Sequence, residues 1–171
     1  MISKKMEQAI NEQINAELYS EYLYLSMSAY CESIDLPGFA NWMLQQSIEE
    51  RTHAMRLYNF VFDRDGRVTL DKIDKPPAEF KSILGVFEQV LKHEQLVTKL
   101  IHNLYELAVK ENDYAAQVEL QWFIAEQVEE EKTAKDIIQQ LKRIGDESTA
   151  LFMLDQKMNE RTAPAPAAAQ E

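Results

Sequence analysis

Only one cysteine, Cys31, occurs in the 171 residues. That excludes an intrachain disulfide framework and any CxxC metal motif. Glycine and proline are scarce, at 4 and 5. Pro37, Pro76 and Pro77 stand near expected element ends, and the other two prolines lie in the last ten residues. So few breakers over this length favour long helices over many short strands. No apolar run approaches the ~18 residues needed to span a membrane, and Met1–Lys5 leads directly into an amphipathic pattern without a signal-type apolar stretch. A cytoplasmic protein with no membrane partner is the expectation. Basic residues are also few: 18 Lys and Arg against 29 Asp and Glu, for a net charge of -11 and a pI near 4.8. A nucleic-acid partner is excluded, because such binding needs a basic face to displace counterions. The acidic balance suits a cationic substrate, although it also serves plain solubility.

What is present is 46% apolar residues, enough for a core in one domain. The spacing predicts a first helix from Lys4 to Ser33, closed by Ile34-Asp35-Leu36-Pro37-Gly38, with Asp35 as a cap for the next helix. The second helix is expected to run to Phe62, where Asp63-Arg64-Asp65-Gly66-Arg67 has turn composition. The stretch to Pro77 reads as extended. A third helix is expected from Phe80 to Glu111, and Asn112-Asp113 offers a turn and a new cap. The fourth ends at Ile144 before Gly145, a natural C′ residue. A short fifth helix, Glu147 to Asn159, is amphipathic through Leu151, Met153, Leu154 and Met158. Residues 1–160 thus form one bundle domain, and the Ala- and Pro-rich residues 161–171 are expected to be a disordered tail. Short first and third joints make antiparallel neighbours, while the long middle joint can cross the bundle and leave the second and third helices parallel. The fold class is therefore all-α, a four-helix bundle with one long crossover between helices 2 and 3 plus a short fifth helix.

Each long helix carries an apolar stripe interrupted by polar residues near its middle. The second reads Phe39, Met43, Gln46, Glu50, His53, Leu57, Phe60. The third reads Ile83, Phe87, Val90, Glu94, Val97, Ile101, Leu104. The fourth reads Leu120, Phe123, Gln127, Glu130, Ala134, Ile137, Leu141. The first is less regular: Ile10, Ile14, Glu17, Glu21, Tyr24. Glu17 lies 18 residues before Asp35, and Glu50 and His53 lie 15 and 18 after it; Glu94 lies 18 before Asn112, and Gln127 and Glu130 lie 15 and 18 after it. At ~1.5 Å per residue these groups share one layer to within roughly 5 Å. Glu21 is about one turn out of the layer, so Glu17 is preferred.

Four carboxylates buried in one layer would be raised in pKa and would destabilise the fold unless cations joined them. Glu and His on facing helices suit a pair of first-row metals. Taken singly, Glu50-x-x-His53 or Glu94 carries little weight, and Gln127 reads as an ordinary core amide; their coincidence at one height is the signal. Tyr24, one heptad past Glu17, reads as core or as a hydrogen-bonding or electron-supplying neighbour of such a site. His93 and His102 read as surface or interface residues. Met43, Met55, Met153, Met158, Trp42 and Trp122 read as packing. Glu49, Glu126, Glu129 and Glu131 read as a solvated face, a further cation site or an access route.

These residues carry a resemblance to the non-haem bacterial ferritins: Glu17, Tyr24, Glu49-Glu50-Arg51-Thr52-His53, Glu94 and Gln127-Val128-Glu129-Glu130, with flanking Asn11–Glu17 and Gln45–Glu50. The likeness covers residues 1–160. It implies a ferroxidase that oxidises Fe(II) with O2. Glu17, Glu50 and His53 would bind a first iron with Glu50 bridging, and Glu94 and Glu130 a second, with Gln127 close by as a further ligand or as an amide supporting one. Glu49, Glu126 and Glu129 with Glu130 would form a third iron site. Tyr24, Glu50 and Glu130 would be catalytic. It further implies a ferric oxyhydroxide mineral in a homo-oligomeric shell of 24 subunits. Haem is not expected, because Gln127 and Glu130 replace a second Glu-x-x-His and Thr52 stands where a haem-binding Met would be. Two rivals remain: a di-metal enzyme on the same bundle, such as a manganese-catalase-like protein, and a non-catalytic helical assembly with merely paired carboxylates.

Overall fold

The computed structural model describes residues 1–145 and 147–162, so the expected tail lies outside the described residues from 163 onward. Five helices and no strands occur among them: α1 (Lys4–Ser33), α2 (Pro37–Asp63), α3 (Ile83–Lys110), α4 (Tyr114–Ile144) and α5 (Ser148–Met158). Three start on side chains that accept from a first-turn amide: Ser3 from Met6, Ser82 from Gly85 and Asp113 from Ala116. The third helix therefore starts later than the periodicity implies. Phe80 stays outside it, its carbonyl accepting from the Tyr30 hydroxyl at 2.9 Å and its ring edge-on to Tyr30.

Asp35 does not cap α2. It takes a left-handed φ of 58° and closes α1, with Leu36 N–H donating back to Cys31 and Asp35 N–H to Glu32. This is a Schellman closure. Asp65 after α2 and Asn112 after α3 repeat it. The capping of α2 comes from α5 instead. Leu36 makes no side-chain cap, and the Phe39 amide donates to the buried Asp155 carboxylate at 3.0 Å.

The crossover, residues 64–82, is held along α1 by side chains four residues apart. Glu7 accepts from the Arg67 amide at 2.9 Å. Asn11 spans Arg67 and Thr69, both at 3.0 Å, and Asn15 reaches the Lys72 carbonyl at 3.2 Å. Ser26 and Tyr30 continue the row to the carbonyls of Pro77 and Phe80. The crossover thus runs parallel to α1, and α3 starts at the end where α2 starts. Arg64 fixes the other end, donating to both oxygens of Asp113 at 2.9 and 3.1 Å.

The apolar core is split in two. One cluster holds Met27, Phe39, Met43, Phe87 and Ile137; the other holds Ile10, Ile14, Leu57, Ile101, Leu120 and Phe123. Phe60 is half-buried under Arg64, and Val61 takes its expected core place. On α5, Leu154 and Met158 are buried while Met153 is exposed, because Asp155 rather than an apolar residue faces α2. Met55 is exposed as well.

Gly38 sits where a Cβ would lie 1.7 Å from the Asp155 carbonyl. Gly38→Ala is expected to lift α5 off α2 although alanine is the better helix former. Hydrogen exchange over residues 148–158 should rise sharply while α1–α4 stay protected; unchanged exchange there would show that α5 docks by other contacts.

Candidate metal centre

Between the two apolar clusters lies the polar layer. Glu17 from α1, Glu50 and His53 from α2, Glu94 from α3, and Gln127 and Glu130 from α4 are all buried in it. Glu21 is only half-buried and accepts from Arg51 at 3.4 Å, outside the layer. Glu17, Glu50 and His53 each bring a ligand atom within 4.8 Å of the others. His53 Nδ1 stands 3.5 Å from Glu50 Oε2, and its ring meets Trp122 and Phe123 edge-on at 5.3 and 6.0 Å. Trp122 is therefore more than filler: it is stacked under Arg56 at 4.1 Å and walls the imidazole.

Amides position the carboxyls. Gln13 donates to Glu17 at 2.8 Å, and Gln46 donates to Glu130 at 2.9 Å and to Glu50 at 3.4 Å. Gln127 donates to Glu94 Oε2 at 3.1 Å, which makes it a holder of Glu94 in this arrangement. Tyr24 donates its hydroxyl to the other oxygen of Glu94. Sequence alone leaves Gln13 and Gln46 unassigned, yet two of these bonds carry a local signal: Gln13 lies four residues before Glu17 and Gln46 four before Glu50, on the same helical face; the closer bond of Gln46, to Glu130 on α4, carries none.

His93 corrects the sequence reading. It is not an ordinary surface residue: its Nε2 lies 2.8 Å from the Ser20 hydroxyl, its ring packs against Tyr19 and Tyr24, and burial lowers its pKa to about 4. His102 is exposed, as expected.

The outer acidic residues divide. Glu49 and Glu126 each bring an oxygen within 4.8 Å of His53 and of each other, on the side of the layer facing an open cleft of about 530 Å³. Glu129 and Glu130 line the same cleft. Glu131 points elsewhere, accepting from Thr98 at 2.9 Å and pairing with Lys135.

Burial dominates the electrostatics. It pushes Glu17 up to about 8, with the Glu50 charge adding to it, and Glu130 up to about 7, with Glu94 adding to it. Glu50 is raised well above the usual carboxylate range by burial and then by Glu94 and Glu130. Glu94 is raised by burial, against the lowering effect of the hydrogen bonds from Tyr24 and Gln127. Burial also lifts the Tyr24 phenol. No lysine or arginine is buried among the described residues. A divalent cation between these groups would meet the hard oxygen and imidazole donors that first-row metals prefer.

A ferritin-like domain matches residues 7–144. The chain belongs to the ferritin family. It is 40% identical over 162 residues to a bacterial non-heme ferritin of Staphylococcus aureus, covering 95% of this chain and 98% of that one. It is 45% identical over 161 residues to the bacterial non-heme ferritin of Bacteroides fragilis, covering 94% and 100%. An Archaeoglobus fulgidus ferritin engineered into a closed form superposes with a TM-score of 0.95 at 51% identity, covering 96% of this chain and 100% of that one. The open-pore ferritin of the same archaeon gives 0.94 at 51%, covering 95% and 100%. The four-helix bundle with its short fifth helix, expected from periodicity and joint lengths, is therefore shown, and it is the bundle of the ferritin structures.

The raised carboxyls predict a pH effect of definite sign. A carboxyl that binds its proton more tightly folded than unfolded makes stability fall as pH rises. For Glu17 and Glu130 the loss runs from the ordinary value of 4.5 through about 7 to 8. The Tm of chelator-treated protein is expected to drop between about pH 5 and about pH 8, and Glu17→Gln should flatten that slope. An equal slope in the variant would clear Glu17 as its source.

Proposed function

We propose that this chain is the subunit of an iron-storage ferroxidase. It oxidises Fe(II) with O2 at a di-iron centre inside its own bundle and deposits Fe(III) as ferric oxyhydroxide inside a homo-oligomeric cage of 24 subunits. The observation that carries the reading is the mid-bundle layer: four carboxyls and an imidazole buried together, with no lysine or arginine buried among the described residues to neutralise them. Such a layer is costly to leave without cations and well matched to two of them.

In this reading Glu17, Glu50 and His53 take the first Fe(II), and Glu94 and Glu130 the second. Glu50 lies between the two sets and bridges. Two Fe(II) held side by side can each give one electron to the same O2. The protein's part is placement and proton release. Gln13, Gln46 and Gln127 fix carboxyl rotamers, and the raised carboxyls give up their protons as iron arrives. Tyr24 orients Glu94. Glu49, Glu126 and Glu129, with Glu130, take a third iron at the cleft. Iron here is substrate and cargo. Homo-oligomerisation is supported by apolar side chains left exposed on one chain: Tyr22 and Leu25 on α1, Leu70 and Ile73 on the crossover, Phe152 on α5.

The deciding experiment adds excess Fe(II) to chelator-treated protein in air and follows iron and protein through size exclusion. Hundreds of irons per particle, in a particle far larger than one chain, is the expected result. Two or three irons per chain with the remainder precipitated would leave a metal site without storage. Glu130→Ala is expected to slow oxidation at least about tenfold, since losing even an outer partner of a ligand costs 10- to 100-fold. Tyr24→Phe removes one hydrogen bond to a carboxylate and should slow it by about tenfold or less, with iron stoichiometry unchanged. Wild-type rates in both variants would move the chemistry away from this layer.

A further inference from the structure

Beyond the end of α5 the chain folds back over α2. The Asn41 side chain donates to the carbonyls of Asn159 and Arg161 at 3.2 and 3.1 Å, which anchors the backbone there. From that anchor the Arg161 guanidinium reaches Glu49, with Nη2 donating to Oε2 at 2.7 Å. Its carbon lies 4.3 Å over the Trp42 ring. The pair is largely sheltered, with side chains 22% and 12% exposed. Arg161 and Trp42 line the same cleft as Glu49, Glu126, Glu129 and Glu130. The charge reaches inward too: Arg161 favours the ionised form of Glu130. Glu49 is thus contested, by Arg161 on one side and by the Glu126 and His53 ligand atoms within 4.8 Å on the other.

We propose that Arg161 is a built-in counter-cation of the cleft: stacked on Trp42, it holds Glu49 and must release it before a metal ion can bind between Glu49 and Glu126. The inference rests on the reading of those residues as a third iron site. The guanidinium competes with incoming metal for the same carboxylate, so the third ion binds last and weakest. The backbone anchor at Asn41 needs no side chain of residue 161, so the arginine can leave Glu49 while the strap stays in place. Planar and stacked on an indole, it has a resting place on Trp42.

The test is calorimetric titration with Zn(II), which is redox-silent, on the assembled protein. Wild type, Arg161→Gln, Arg161→Lys and Glu126→Gln are compared. Wild type should take two tight equivalents per chain and a weaker third, and Glu126→Gln should lose the third. In Arg161→Gln the third equivalent should tighten by about five- to tenfold, the worth of one partly sheltered charged hydrogen bond. The first two should change less than twofold. Arg161→Lys, which keeps the charge but not the fork, should fall between, and it decides the matter if the glutamine variant fails to assemble. In a Trp122→Phe background, Trp42 emission should change as the third equivalent binds, and should not when Arg161 is glutamine. A third equivalent that depends on Glu126 but has the same affinity with and without Arg161 would overturn the counter-cation role and leave the site standing. A third equivalent absent from every variant, with Glu126→Gln superposing on wild type, would remove the site and this proposal with it.

Discussion

Everything in this bundle is arranged around a band of buried carboxyls at mid-height. Glu17, Glu50, Glu94 and Glu130 are each nearly sealed from solvent, and no buried ammonium or guanidinium among the described residues meets them. Amides and one phenol hydrogen-bond to them and lower the cost of burial, but none of these groups carries charge. Burial therefore raises all four carboxyls, so each holds its proton more tightly than it would in water. The two apolar clusters on either side provide the folding energy that such a band cannot.

That division of labour explains the topology. A layer fed by four helices needs each to enter at the right height and rotation. The Arg64–Asp113 fork joins the end of α2 to the start of α4, and Asp113 also caps α4, so one carboxylate sets both. The row Glu7, Asn11, Asn15, Ser26 and Tyr30 sets where α3 begins by fixing the crossover along α1. Helical rise then carries Glu94 to the layer without further adjustment.

Much of this was legible in the chain because it is periodic. A stripe broken by Glu at matched distances from two turns places four helices in register, and it separates Glu17 from Glu21 one turn away. Contacts that are neither periodic nor local were not legible. Asp35 looks like a cap, yet the cap of α2 arrives from Asp155, 116 positions beyond the Phe39 amide it accepts from. His93 lies off the apolar stripe, and its partners, the Ser20 hydroxyl 73 positions away and the rings of Tyr19 and Tyr24, all belong to α1. Arg161 falls within what composition marks as a tail, and its partners Glu49 and Trp42 belong to α2. Chemistry repeated along a helix can be read from one strand of text; chemistry assembled between distant segments cannot.

The three helix closures at Asp35, Asp65 and Asn112 bear on the scarcity of glycine. Each takes a left-handed conformation that glycine would enter freely and that a side chain enters at a cost of about 1 kcal/mol. Glycine at the same place would enlarge the conformational freedom of the unfolded chain by a comparable amount, about 0.4–1 kcal/mol. The two effects nearly cancel. A helical protein can therefore turn its corners on Asp and Asn almost free of thermodynamic penalty. A low glycine count accordingly constrains the number of corners much less than it constrains the flexibility of the chain before it folds.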